Sequence, residues 1–320
     1  MAVPEVSETY AAGLNTVTIG ATKDDGGTRG KTVTVGGAIG LPWLGFEGER
    51  GHPQAIAVEV WDAGAEAWPD QLKDAYGEAM GDLASWCEKA VEFGAEMICL
   101  KLMGTHPDAE DRSPDQAAES VRTCLEAVDL PLIVWGCGVY DKDNNVLPKC
   151  TEAARGENCL FGTIVEKNYA TLVAACVASG HKILAESPLD INIAKQVNIL
   201  ASDAGFPLEE IVSFPTTGSL GYGMEYVYSI QERMRLAAVN GDRQLQQPVL
   251  MDVGMEAWRA KESKVSEEEM PVLGPAAKRG PIWEAITATD LLQSGGDILV
   301  MRHPEAIRMV RKAIERLSAA

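Results

Sequence analysis

The sequence is short of several things. It has no stretch approaching the about 18 uninterrupted apolar residues that read as a membrane span. Its opening, MAVPEVSETY, lacks the basic and apolar regions of a secretion signal, so neither export nor membrane attachment is expected. It has no CxxC pair, and His52, His106, His181 and His303 do not pair at ligand spacing. A metal ion or an iron–sulfur cluster held by this chain alone is therefore not expected. The seven cysteines are odd in number and show no short repeated spacing, which argues against a disulfide framework and for a reducing cytoplasm. Positive charge is also scarce. The 28 Lys and Arg against 47 Asp and Glu leave a net charge of −19, so a nucleic-acid partner is not expected. Ser187-Pro188 has no nucleophile elbow around it.

What is present is a regular alternation. Eight short, near-continuously apolar runs, at 55–62, 97–104, 130–138, 159–166, 182–188, 210–215, 247–254 and 297–303, read as parallel strands covered by helices. Amphipathic stretches separate them. One runs over 72–93, and the last puts Ile307, Val310, Ile314 and Leu317 on one stripe. Gly94, Gly156, Gly180, Gly205, Gly241 and Gly295 each follow such a stretch, where a helix end needs a left-handed residue. Ser113, Pro114 and Gln116 together mark a helix start with a capping box. Eight β-α units predict a single (β/α)8 TIM barrel over 55–320, with a doubly wound sheet as the alternative. Residues 1–54 form a lead-in. Within it Thr16–Ile19 and 31–35 alternate polar and apolar residues around Asp24-Asp25-Gly26-Gly27. That pattern reads as a β-hairpin extension covering one end of the barrel.

In such barrels function gathers where strands end. The strand ends offer Asp62, Lys101, Thr105, His106, Cys137, Glu166, Asn168, Ser187, Asp190, Asn192, Thr216, Thr217, Glu256, Arg302 and His303. Neutral polar groups are as frequent there as titratable ones, which suits an amide-rich ligand. Glu59, Lys101 and Arg302 lie in the first, second and eighth strands, neighbours in a closed barrel, and could form one buried ion-pair network. Gly218-Ser219-Leu220-Gly221-Tyr222-Gly223 joins the sixth strand to its helix. It lacks the context of a dinucleotide fingerprint and the lysine of a P-loop. The charged segment 259–280 is read as a long loop between the seventh strand and its helix, poor in apolar anchors.

Several strings, in order, resemble one family. They include Gly20-Ala21-Thr22-Lys23-Asp24, Phe46-Glu47-Gly48-Glu49, Trp68-Pro69-Asp70 and Ser187-Pro188-Leu189-Asp190-Ile191-Asn192-Ile193. Further along come Leu220-Gly221-Tyr222-Gly223-Met224-Glu225-Tyr226, Glu256-Ala257-Trp258-Arg259-Ala260-Lys261 and Met301-Arg302-His303-Pro304-Glu305-Ala306. The chain is similar, nearly end to end, to the small subunit of the corrinoid iron–sulfur protein, also called the delta subunit of the acetyl-CoA decarbonylase/synthase complex. The resemblance implies a non-catalytic subunit of a heterodimeric methyl carrier in the reductive acetyl-CoA (Wood–Ljungdahl) pathway. A methyltransferase would deliver methyl from methyltetrahydrofolate to the cobalt of a corrinoid (a cobalamin), for transfer to acetyl-CoA synthase. The large subunit would carry the [4Fe–4S] cluster and a corrinoid domain, and the barrel top would close over the corrinoid at the interface. The loops after the fifth and sixth strands are then the expected contacts, through Ser187, Asp190, Asn192, Thr216, Thr217 and Ser219, with Gly218, Gly221 and Gly223 allowing close backbone approach. The competing expectation is a free-standing pterin-dependent methyltransferase barrel.

Overall fold

The computed structural model describes residues 6–319. Its eight parallel strands are β3 (Ala55–Trp61), β4 (Met97–Lys101), β5 (Leu132–Trp135), β6 (Leu160–Ile164), β7 (Lys182–Glu186), β8 (Ile211–Phe214), β9 (Leu250–Met251) and β10 (Ile298–Met301). All eight fall inside the apolar runs. The sheet runs from β8 through β3 to β10 and β9, with β10 paired to both β3 and β9. A bridge between Ser213 and Val249 joins β8 to β9 and closes the ring. That closure rules out the doubly wound sheet.

The period of two sorts the strand residues into two cores. Ala57, Cys99, Ile133, Leu184, Val212 and Val300 pack inside the barrel. Their neighbours Val58, Ile98, Val134, Ile183 and Leu299 pack outward against the helices. The predicted hairpin forms from β1 (Thr16–Ile19) and β2 (Val33–Gly36), with Val17 opposite Val35. Val17, Ile19 and Val35 join the inner core. Asn158, just before β6, donates to the carbonyls of Thr18 and Gly20 at 3.0 Å. The hairpin therefore plugs the N-terminal end of the barrel, opposite the end where strands give way to functional loops. Arg29 fastens it there. Its Nε meets Glu157 at 2.8 Å, and its other nitrogens donate to carbonyls of Leu125 and Val128.

The helices are α1 (Asp70–Tyr76), α2 (Leu83–Glu92), α3 (Pro114–Ala127), α4 (Tyr140–Ala153), α5 (Tyr169–Ser179), α6 (Ile191–Asp203), α7 (Met224–Val239), α8 (Val253–Arg259), α9 (Lys261–Lys264), α10 (Ala276–Gln293) and α11 (Pro304–Ala319). The helix start at Ser113 and the capping box to Gln116 form as expected. All six glycines read as helix stops take positive φ. No helix among the described residues is long and apolar enough to cross a membrane.

Two expectations need correction. The segment 72–93 is not one helix. Gly77 breaks it at φ 60, and Asp82 restarts it by capping α2, accepting from the Ser85 amide. The segment 259–280 is not an open loop directly after the seventh strand. α8 begins at the strand end, and α9 and α10 take up much of the segment. Its anchor is polar rather than apolar. Arg279, 5% exposed, donates to the carbonyls of Val265, Ser266, Met270 and Gly274. A guanidinium satisfied this way gathers a loop that has few apolar side chains to bury.

Candidate functional site

The upper mouth of the barrel is filled by charge. Arg302 Nη2 lies 2.5 Å from Glu59 Oε1 and its Nε 3.0 Å from Oε2. Lys101 Nζ lies 3.3 Å from Glu59 Oε2. The three residues singled out from the sequence thus meet. A fourth was missed: Asp252, whose Oδ2 accepts from Lys101 Nζ at 2.6 Å. The signal for it was parity, since Leu250 points into the barrel and Asp252 is two residues on. Two cations and two anions balance formally, and all four are buried. Trp135 lies 5.1 Å from the Lys101 ammonium, Trp68 4.3 Å from the Arg302 guanidinium. Burial alone would raise the Glu59 carboxyl, but Arg302 and Lys101 outweigh it and hold the group at about 2. Burial pushes the Asp252 carboxyl up despite Lys101. Its Oδ1 has no partner among the described residues.

Other carboxylates surround this mouth. Glu186, also missed, has the inward parity of Leu184 and accepts from Thr163 Oγ1 at 2.6 Å. Glu284, reaching in from α10, accepts from Trp258 Nε1 at 2.7 Å and from the amides of Arg302 and His303. Burial raises it to about 7, against those three donors. Burial lowers the imidazole of His303, which stacks on Trp258, to about 4. Asp62 accepts from the Gly104 amide at 2.7 Å, and burial pushes its carboxyl up to about 6. Arg112 stands 3.9 Å from its other oxygen. Cys137 is half-buried, and its amide donates to Asp143. His106, Glu166 and Glu256 lie outside this inner set.

The loops after β7 and β8 are consecutive at this same end, but much of their polarity is used internally. Asp190 caps α6, accepting from the amides of Asn192 and Ile193 at 2.8 and 3.4 Å. Thr216, at φ 67, donates to the Ser187 carbonyl at 2.6 Å. Thr217 is buried and accepts from the Asp252 amide at 2.9 Å. That bond ties the loop to the ion-pair set. The glycine-rich segment folds on itself: a side chain at Gly218 would meet the Gly223 backbone at 2.9 Å. It is pinned to α10, where Trp283 Nε1 donates to the Leu220 carbonyl and Thr287 accepts from the Leu220 amide. Ser219 is buried with its hydroxyl unpartnered among the described residues. Asn192 and Gly221 are exposed, and Gly223 is partly so.

A protein-family model described as CO dehydrogenase/acetyl-CoA synthase delta subunit matches residues 16–313. That span includes the hairpin and every barrel strand. The chain belongs to this delta-subunit family. Among curated relatives, the acetyl-CoA decarbonylase/synthase complex subunit delta of Methanopyrus kandleri is 35% identical, over 94% of this chain and 74% of the relative. The subunit delta of Methanosarcina mazei is also 35% identical, over 96% and 71%. Solved structures support the barrel as a fold. A dihydropteroate synthase from Coxiella burnetii, in complex with pteroic acid, aligns with TM-score 0.56 at 12% identity, covering 84% of this chain and 95% of that one. The enzyme from Stenotrophomonas maltophilia gives 0.53 at 13%, covering 83% and 92%. This chain thus shares a barrel, at the level of fold, with dihydropteroate synthases.

Proposed function

We propose that the chain is the small subunit of a heterodimeric corrinoid iron–sulfur methyl carrier of the reductive acetyl-CoA pathway. Its top face helps hold and shield a corrinoid at the interface with the large subunit. Family membership over residues 16–313 carries this reading.

The barrel mouth supports it. Four paired charges sit at the mouth where a small substrate would enter, which suits a surface that covers a ligand. The exposed Asn192 side chain suits a corrin rim, because a corrin's amide arms both donate and accept hydrogen bonds and an amide side chain can answer both. When bound, the corrinoid supplies a cobalt that accepts a methyl group and gives it up. This chain's residues hold and shelter it. Asn192 would hydrogen-bond the amide arms, and Gly221 and Gly223 would let backbone come close. Ser187, Asp190, Thr216, Thr217 and Gly218 keep the two loops in place. In this reading the large subunit carries the [4Fe–4S] cluster. The cysteines of this chain fit that division, since six of the seven are buried. A methyltetrahydrofolate methyltransferase and acetyl-CoA synthase are transient partners, so the cover must open for each transfer.

The test is Asn192→Trp in the anaerobically co-expressed heterodimer. Cobalt per heterodimer should fall while circular dichroism stays unchanged. Unchanged cobalt would contradict contact through these loops and shift it to those after β4 and β5.

A further inference from the structure

At the opposite, N-terminal end of the barrel, a cavity of about 200 Å3 opens between the lead-in segment and the ends of α7 and α10. Arg50, His52, Gln54, Arg235 and Asp297 supply polar groups to its lining. Arg235, on α7, is 7% exposed. Its guanidinium has five N–H donors, yet its contacts are two long ones to carbonyls, Gly40 at 3.5 Å and Gly295 at 3.4 Å. Among the described residues it makes no ion pair within 4.0 Å, and the Asp297 carboxylate acts on it only from beyond that distance. A buried cation left this way is costly unless a counter-charge arrives.

Asp297 is the acid facing the same cavity, but it is committed elsewhere. Its Oδ2 accepts from the Val249 amide at 2.8 Å, and burial pushes its carboxyl up against the pull of Arg235. Arg50 adds a second guanidinium, steadied by the Ser318 carbonyl at 2.7 Å. Arg235 and Arg50 outnumber the Asp297 carboxylate around this cavity, in a chain of net charge −19.

We propose that this cavity binds a small oxyanion, a phosphate group or a carboxylate, on Arg235, with Arg50 and His52 at its rim. The planar guanidinium fork matches either anion through paired N–H···O bonds. The site is independent of the corrinoid face, lying at the other end of the barrel.

The full chain is titrated by calorimetry at low ionic strength with inorganic phosphate and, separately, with acetate. Chloride serves as the control. Saturable one-to-one binding of at least one oxyanion is expected, and the stronger of the two identifies the head group. Arg50→Gln, at an exposed position, should weaken it about tenfold or more through loss of a charge-assisted bond. Arg235→Lys keeps the charge but loses the fork, and should weaken it as well, with circular dichroism confirming the fold. Absence of saturable binding for both anions overturns the proposal. So does binding that neither substitution changes.

Discussion

Arg302 and Glu59 face each other across the seam where the last and first barrel strands pair, with Nη2 2.5 Å from Oε1. The contact joins residues 243 positions apart. It also carries Lys101 and Asp252 into one buried set. Removing one partner strands the others in low dielectric. Arg302→Met is therefore expected to cost about 3–5 kcal/mol in urea unfolding. The surface pair Lys89 and Glu92 gives the contrast, and Lys89→Ala should cost under about 1 kcal/mol. Equal losses for the two would refute the claim that burial decides the difference.

The sequence made much of this legible. Apolar runs located every barrel strand, and the alternation at Thr16–Ile19 located the hairpin. The ion-pair set was visible as three charges inside apolar strands. Asp252 lay inside the run 247–254 as well, but its inward direction could be read only once Leu250 was known to face into the barrel. Glu284 was beyond strand reasoning altogether, since it enters the mouth from α10. The helix expected over 72–93 failed at Gly77, whose effect depends on φ rather than on hydrophobic spacing. The strand-end polarity was found correctly as residues, but composition cannot say that Thr217 and Asp190 hold loops together.

Asp190 offers a separable test of its capping bond. Asp190→Ala should cost about 1 kcal/mol, and Asp190→Ser should recover most of it, because a serine oxygen also caps. Thermal unfolding of both variants measures this. Full stability in the alanine variant would show that the cap contributes nothing.

Asp62 predicts a pH dependence. Burial raises its folded pKa from 3.8 to about 6, so the folded state binds the proton more tightly. The stability this adds is fully present below about 3.8 and is lost as pH rises through about 6, amounting to about 2–3 kcal/mol. Asp62→Asn keeps the acceptor for the Gly104 amide and carries no charge. It should flatten the stability profile between pH 4 and 6 and exceed the parent in stability at pH 8, both about that size. A profile identical to the parent's would contradict the raised pKa.

Arg279 predicts a local effect. Hydrogen exchange in residues 265–274 should quicken in Arg279→Gln while the barrel strands keep their protection, because four carbonyls lose their shared donor. Unchanged exchange there would show that other contacts hold the segment.

The central claim is that this barrel covers a corrinoid together with a larger subunit. It is tested most directly by purifying the chain from its source under anaerobic conditions and measuring composition and cobalt. The account predicts a one-to-one complex with a larger subunit, carrying cobalt that is lost when the two are separated. A chain that purifies alone, without cobalt, and transfers methyl from a methylated pterin by itself would contradict it.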